Sequence, residues 1–415
     1  MELGEHFFRH ESGRLVAALT RLFGVHQLAL AEDVTQHAFC RALEVWKVRG
    51  IPENPSAWLL ATAKHRALDL LRKDRTARAF APLLSRQIDQ ESELSGAVDE
   101  AFSPSTMKDE QLRMMFSCCH PRLAQEAQVA LILNILCGFG AAEIAGALLT
   151  GQAAIEKRIS RGKQTLADSK TLFDLGDAEF AARLTTVRQA LYLLFNEGYH
   201  GAAASGAIRL ELCQEALRLT RLLGDYAPAA TPTTAALAAL MCLNAARLPA
   251  RVDAEGELLA FFAQDRARWD AELVAQGLAL FEAAASGSEL SQYHVEAAIA
   301  VAHASAPSFA ETDWATVVGL YDRLMQVAPS PVVALNRAIA VGHGAGPARG
   351  IAELGRIADA ERLRAYPFYP AALGEFELQR GNLAAAREHF GQALALARND
   401  TERHFLQKRL AAASH

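Results

Sequence analysis

Residues 58–78, WLLATAKHRALDLLRKDRTAR, constrain this chain more than any other stretch. Trp58, Leu59, Ala63, Ala67, Leu70 and Leu71 recur at the three-and-four spacing of a helix that buries one stripe. The opposite side carries Lys64, His65, Arg66, Arg72, Lys73, Arg75 and Arg78, offset only by Asp69 and Asp74. Such a helix needs an apolar partner on one face and leaves a cationic ridge on the other. A ridge of this density attracts phosphate oxygens by charge and counterion release, and sets side chains where they reach bases. A solvated basic helix face carries the same pattern, so the rest of the chain must decide between the two.

Alanine and leucine dominate, glycine and proline sit at punctuation points, and the alternation of a half-buried strand is nearly absent, which predicts an all-α chain. Its 415 residues exceed what one hydrophobic core serves, so two or three domains are expected. Residues 1–170 hold 21 Lys and Arg against 20 Asp and Glu, whereas residues 171–415 hold 21 against 27. The first part is locally basic and the last part acidic. Cys40, Cys118, Cys119, Cys137, Cys213 and Cys242 form no Cys-x-x-Cys pair and read as reduced thiols of a cytoplasmic protein. In the run CCHP at 118–121 adjacent helical side chains diverge by about 100°, so the two cysteines do not share a tetrahedral ion, and no metal or cofactor is expected. The charged start lacks the apolar segment of a signal peptide. Residues 127–150 are interrupted by Asn134, Gly138, Gly140 and Glu143 and read as two short helices with a turn, not a membrane span.

In chain order, residues 9–23 pattern as a first amphipathic helix ending near Gly24. A second, over 28–48, turns Val34, Ala38, Leu43 and Trp46 inward and Glu32, Asp33, Gln36 and Arg41 outward. Pro52 and Pro55 break the chain, and Ser56 is placed to cap the cationic helix. A three-helix domain over 1–78 is predicted, then an acidic linker over 79–108. Helical periodicity returns over 109–170. Within it, 141–149 and 151–169, tightly joined, have the lengths of a helix-turn-helix. In its second helix Ala154, Ile155, Ile159 and Leu166 form the inward stripe. Gln152, Glu156, Lys157, Ser160, Arg161 and Lys163 face out, with Arg158 near the edge. Such residues pair with base edges and phosphates.

AEDVTQHAF at 31–39, WLLATAKHRALDLLRKDR at 58–75 and the stretch 127–166 together resemble regions 2.2, 2.3–2.4 and 4 of a sigma-70 family factor of the extracytoplasmic-function group. The resemblance implies that Asp33 and Gln36 dock on core RNA polymerase. It implies that Lys64, His65, Arg66, Arg72, Lys73 and Arg75 melt and read the minus-ten side of promoter DNA. It also implies that Gln152, Lys157, Arg158, Ser160, Arg161 and Lys163 read the minus-thirty-five element, while the linker lies in the RNA exit path. Flipping a base out costs a few kcal/mol, which cationic tracking and stacking must offset, and the ridge has the residues for both. The chain departs from the family pattern at His37, at His65 and at Ala141, where the usual Ser or Thr cap is missing and the helix start loses about 1 kcal/mol.

Residues 171–415 extend beyond a typical factor of that group. Residues 194–206 read as a glycine-rich break exposing Asn196, Glu197, Tyr199 and His200. Leu373, Gly374, Gly381, Asn382, Ala386, Phe390, Ala393 and Leu394 match a tetratricopeptide pattern. Degenerate pairs precede them, one keeping Trp314, Tyr321, Leu324 and Pro329 and another spanning 331–341 with 350–360. The extension resembles the subgroup of these factors with a C-terminal tetratricopeptide-like domain, which implies regulation through that domain and a groove for a protein or peptide partner. Two other readings stay open at this stage: a tetratricopeptide adaptor with a sigma-like N-terminal half, and an enzyme using the 196–200 turn, which lacks a paired acid and base at credible spacing.

Overall fold

The computed structural model describes residues 5–73, 91–147, 150–169, 177–200, 210–254 and 257–414. Among these the chain is all-α, nineteen helices with no strand; its one β feature is an antiparallel bridge between Val252 and Leu258. No described helix is long and apolar enough to cross a membrane. The chain divides into two compact units, Met1–Leu194 and Phe195–His415.

In the first unit α1 (Glu5–Phe23) ends at Gly24, whose φ of 81° only glycine adopts without strain. In α2 (Leu28–Arg49) the buried residues Ala31, Val34, Ala38, Ala42 and Trp46 step by three and four. This corrects the expectation for Leu43: a fourth-residue step from Ala38 lands on Ala42, and Leu43 is 62% exposed. Helix α3 (Pro55–Lys73) buries Leu59, Ala63 and Ala67 completely, as the sequence predicts. Its cap is Asn54, whose Oδ1 accepts from the Ala57 amide at 3.0 Å, with Pro55 at the first helical position. Ser56 instead donates to Glu11 at 3.1 Å. Glu11 is 2% exposed; burial alone would raise its pKa, but His10, Arg14 and Ser56 hold the carboxyl below the usual range. Trp46 stacks edge-on against Trp58 with centroids 5.4 Å apart and closes the aromatic end of this core.

Part of the expected linker is helical. Residues 74–90 lie outside the described residues, but Glu91–Ala101 forms α4, and Val98, Ala101 and Phe102 enter the same core as α1, α2 and α3. Three apolar residues at helical spacing suffice to dock an otherwise acidic segment. Helix α5 (Pro104–Ser117) follows, with Met114, Met115 and Phe116 buried. Helix α6 (Gln125–Ile135) is buried on nearly every side, α7 spans Ala141–Ala147 and α8 spans Gln152–Ala167. The two short helices expected over 127–150 are α6 and α7. The first turns of α9 (Asp177–His200) belong to this unit: Phe180 stacks on Phe116 at 4.3 Å, and Arg183 donates to the Phe116 carbonyl at 3.1 Å. The unit therefore runs past the boundary expected at residue 170.

The second unit is a succession of paired helices: α10 (Leu210–Asp225), α11 (Pro232–Ala246) with α12 (Ala271–Ala284), α13 (Gln292–Ser305) with α14 (Trp314–Val327), α15 (Pro331–Ala345) with α16 (Pro347–Leu354), α17 (Phe368–Gln379) with α18 (Leu383–Ala395), and α19 (Asp400–Ala412). Thr231, Asp270, Asp313, Ser330, Asn382 and Asn399 cap helices with their side chains, so polar punctuation sets most of the starts. The break expected at 194–206 does not begin before residue 201: α9 stays helical through His200 and Tyr199 is 6% exposed, while 201–209 lie outside the described residues. Between α11 and α12 an irregular segment with three short 3-10 turns lays Phe261 against Phe309 and His303.

Helix α1 crosses the end of α6 at Gly13, where a Cβ would lie 2.1 Å from the Leu136 carbonyl oxygen. Backbone cannot yield as a side-chain tip can. Gly13→Ala is therefore expected to destabilise the first unit by about 1–3 kcal/mol in urea unfolding.

Candidate nucleic-acid interface

Three helices of the first unit, α2, α3 and α8, carry the predicted contact residues that the structure describes. On α2, Asp33 and Gln36 are both exposed, as are His37 and Cys40 between them and the C-terminal turns. Arg41 and Glu44 pair at 3.1 Å beside them. The same end exposes Leu43 at 62%, Val48 at 84% and Ile51 at 37%. Large apolar side chains among charged ones are the composition of a protein-binding surface. Sequence periodicity missed this patch because Leu43 was assigned to the core.

On α3 the ridge lies opposite the buried stripe. His65 is exposed and Arg66 half-buried. Lys64 is paired with Asp99 of α4, so one cation of the ridge is already neutralised inside the unit. The backbone of Arg72 and Lys73 continues α3, but their side chains, and Arg75 and Arg78 entirely, lie outside the described residues.

On α8, Gln152, Lys157, Ser160 and Arg161 are exposed and Arg158 is half-buried, as predicted. Gln152 donates to Glu156 at 2.9 Å. Two positions differ. Ala154 is exposed, and Gly162 takes its place in the buried face, where a Cβ would lie 2.7 Å from a Leu131 methyl. Lys163 does not face open solvent: its Nζ lies 2.6 Å from Glu32 Oε1 of α2, both side chains 28% exposed. A cleft of about 540 Å³ separates these helices, lined by His26, Ala29 and Glu32 on one side and Ser160, Lys163 and Gln164 on the other. Lys157 and Arg161 share the open face, one turn apart, whereas Ser160 and Lys163 look toward α2. No sequence signal links residues 131 positions apart, and the pair was not foreseeable from periodicity.

At the start of α7 the missing Ser or Thr cap is compensated. Glu143 Oε2 accepts from the Gly140 amide at 2.9 Å, and its other oxygen binds Arg9 of α1 at 2.8 Å. The run at 118–121 is structural: both thiols are buried, burial pushes Cys118 well above the ordinary thiol range and Cys119 to about 12, and Gln128 donates to the His120 carbonyl at 2.8 Å. Among the described residues no three His, Cys, Asp or Glu gather as metal ligands.

Comparison with known proteins finds a match at the N-terminal end. The sequence model of sigma-70 region 2 matches residues 7–77, which hold α1, α2 and α3. A second model, a family of unknown function (DUF6596), matches residues 183–285. An uncharacterized protein of Rhizobium meliloti (strain 1021) is 37% identical over 398 residues, covering 95% of this chain and 92% of that protein.

Cys40 is exposed and the other five cysteines are buried. Iodoacetamide on the native chain is expected to modify Cys40 about tenfold or more faster than any other thiol, as read by peptide mass spectrometry.

Proposed function

Since the chain belongs to one family with the Rhizobium meliloti protein and carries a sigma-70 region 2, we propose that it is an alternative sigma factor of the extracytoplasmic-function group. In this reading it binds core RNA polymerase in the cytoplasm, recognises a two-part promoter, opens the DNA and carries out no covalent chemistry of its own. The observation that carries the reading is the match over residues 7–77, within which α2 exposes a mixed polar and apolar face and α3 fixes a cationic one.

Asp33 and Gln36, with the exposed Leu43 and Val48, form the core-docking face. His65, Arg66, Arg72, Lys73 and Arg75 follow the displaced strand and stack on or pair with extruded bases, and Lys64 joins them when Asp99 releases it. Residues 109–170 act as region 4. Lys157 and Arg161 lead the contact with the minus-thirty-five duplex, and Gln152, Arg158, Ser160 and Lys163 complete it. The second unit acts as a fused tetratricopeptide-like regulator for a protein or peptide partner.

The test is transcription in vitro by purified core polymerase with the full chain over fragments of the host genome. Specific start sites are expected. Arg72→Ala with Lys73→Ala and Arg75→Ala should abolish promoter opening while core binding persists; unchanged opening would remove the role of α3. Lys157→Ala with Arg161→Ala should lower duplex promoter affinity about tenfold or more and flatten its salt dependence by about two phosphate contacts. Core polymerase should also shield Cys40 from iodoacetamide.

The ion pair between Lys163 and Glu32 holds α8 against α2 and withholds one cation from DNA. Glu32→Gln is expected to strengthen duplex promoter binding about two- to fivefold in fluorescence anisotropy, the size set by a half-exposed pair.

A further inference from the structure

The second unit encloses a cavity of about 460 Å³ whose walls are largely aromatic and aliphatic. Phe261 comes from the irregular segment after α11, Ile339 from α15, Phe376 from α17, Phe390 from α18 and Leu406 from α19. Phe262 and Phe368 also line it and remain 40% and 37% exposed, which places an apolar rim at its mouth. Cavities of this size, apolar with a few converging polar groups, are the usual form of a small-molecule site.

Polar groups converge here too, among them the guanidinium groups of Arg247, Arg251 and Arg409 and the carboxylates of Glu375 and Glu402. Arg247 and Arg251, four residues apart just beyond α11, both line the cavity. Arg247 lies 4.0 Å from the centroid of Phe261, and Arg251 lies 4.1 Å from that of Tyr199. Arg247 donates to Gln264 Oε1 at 3.3 Å and Arg251 to the Tyr199 carbonyl. These acceptors are neutral, and the Nε of Arg247 is buried with no hydrogen-bond partner among the described residues. The two carboxylates that line the cavity are already engaged: Glu375 with Arg409 at 2.5 Å and Glu402 with Arg398 at 3.1 Å.

A third guanidinium, Arg266, stands nearby, tied to the carbonyls of His303 and Ala306 and to Thr312. The His303 imidazole reports the field of this group: burial, then Arg247 and Arg266, hold its pKa down to about 3. Burying like charges near one another is costly, and ring contacts offset only part of that cost. A bound anion would offset the remainder. Two guanidinium edges suit one planar carboxylate, whereas a phosphate would leave oxygens unpaired against apolar walls.

We propose that this cavity binds a small organic carboxylate with an aromatic or aliphatic body, its carboxylate held by Arg247 and Arg251 and its body packed among Phe261, Phe376 and Phe390. The site is a property of the second unit and does not rest on the transcription reading. Within that reading it gives the fused domain a chemical input.

The test is isothermal titration of the full chain with benzoate, indole-3-acetate, 4-phenylbutyrate and octanoate, each beside its uncharged amide, and with inorganic phosphate. At least one carboxylate is expected to bind about tenfold or more tighter than its amide, with no binding of phosphate. Arg251→Gln should bring acid and amide within about threefold of each other, and Arg247→Gln should do the same. Ala371, which lines the cavity, offers a variant that leaves both arginines in place: Ala371→Phe should block acid and amide alike with the circular dichroism unchanged. Absence of binding by all four acids, equal binding of acids and amides, or competition by phosphate would each overturn the proposal.

Discussion

Leu59, Ala63 and Ala67 have no solvent exposure, and what α3 presents to solvent depends on that burial. A leucine fully removed from water contributes roughly 1.5–3 kcal/mol, enough to hold a helix whose other face repels itself. The repulsion is moderated locally by Asp69 and, across the unit, by the pairing of Lys64 with Asp99. The stripe packs on α1 and α2 through the Trp46 and Trp58 contact, and the buried Glu11 draws Ser56 at the start of α3 toward α1. A cationic surface that must meet DNA in a set orientation needs this kind of anchorage, because a freely turning helix would spend its charge on counter-ions.

The same economy of contacts joins the two halves of the first unit. Gly13 lets α1 approach the end of α6 at backbone distance, and Gly162 makes room on α8 for the Leu131 side chain. Around these close approaches lie Arg9 with Glu143 and Lys163 with Glu32, ion pairs that are partly exposed and individually worth little. Apolar contact and small residues set the arrangement, and the ion pairs select among orientations that contact already permits. An arrangement held at its edge by weak pairs opens at small cost.

The second unit shows the complementary situation. Its helices pair through apolar faces and polar caps, and several of its acidic residues meet arginines one helical turn away, as in Glu353 with Arg349 and Arg356 and Glu402 with Arg398. Arg247 and Arg251 stand apart from that pattern, with ring faces and neutral acceptors in place of carboxylates. Net acidity of the unit thus coexists with a local excess of positive charge inside it, a contrast that composition averages away.

Local pattern was enough to read the helical class, the buried stripe of α3, the exposed faces of α2 and α8 and the succession of helix pairs toward the C-terminus. These follow from propensity and from spacing of three and four residues, which any helix imposes on its own sequence. The sequence also placed Asp33, Gln36, Lys157 and Arg161 on open faces, where they stand. Tertiary structure decided the rest. It turned Leu43 outward because Ala42 holds the inward step, and it docked 91–101 into the core through three apolar residues hidden among acids. It bound Lys163 to Glu32 and gathered Arg247 and Arg266 beside one imidazole. Each of these rests on residues far apart in the chain, where periodicity carries no information and only the packing of one helix against another determines which charges meet.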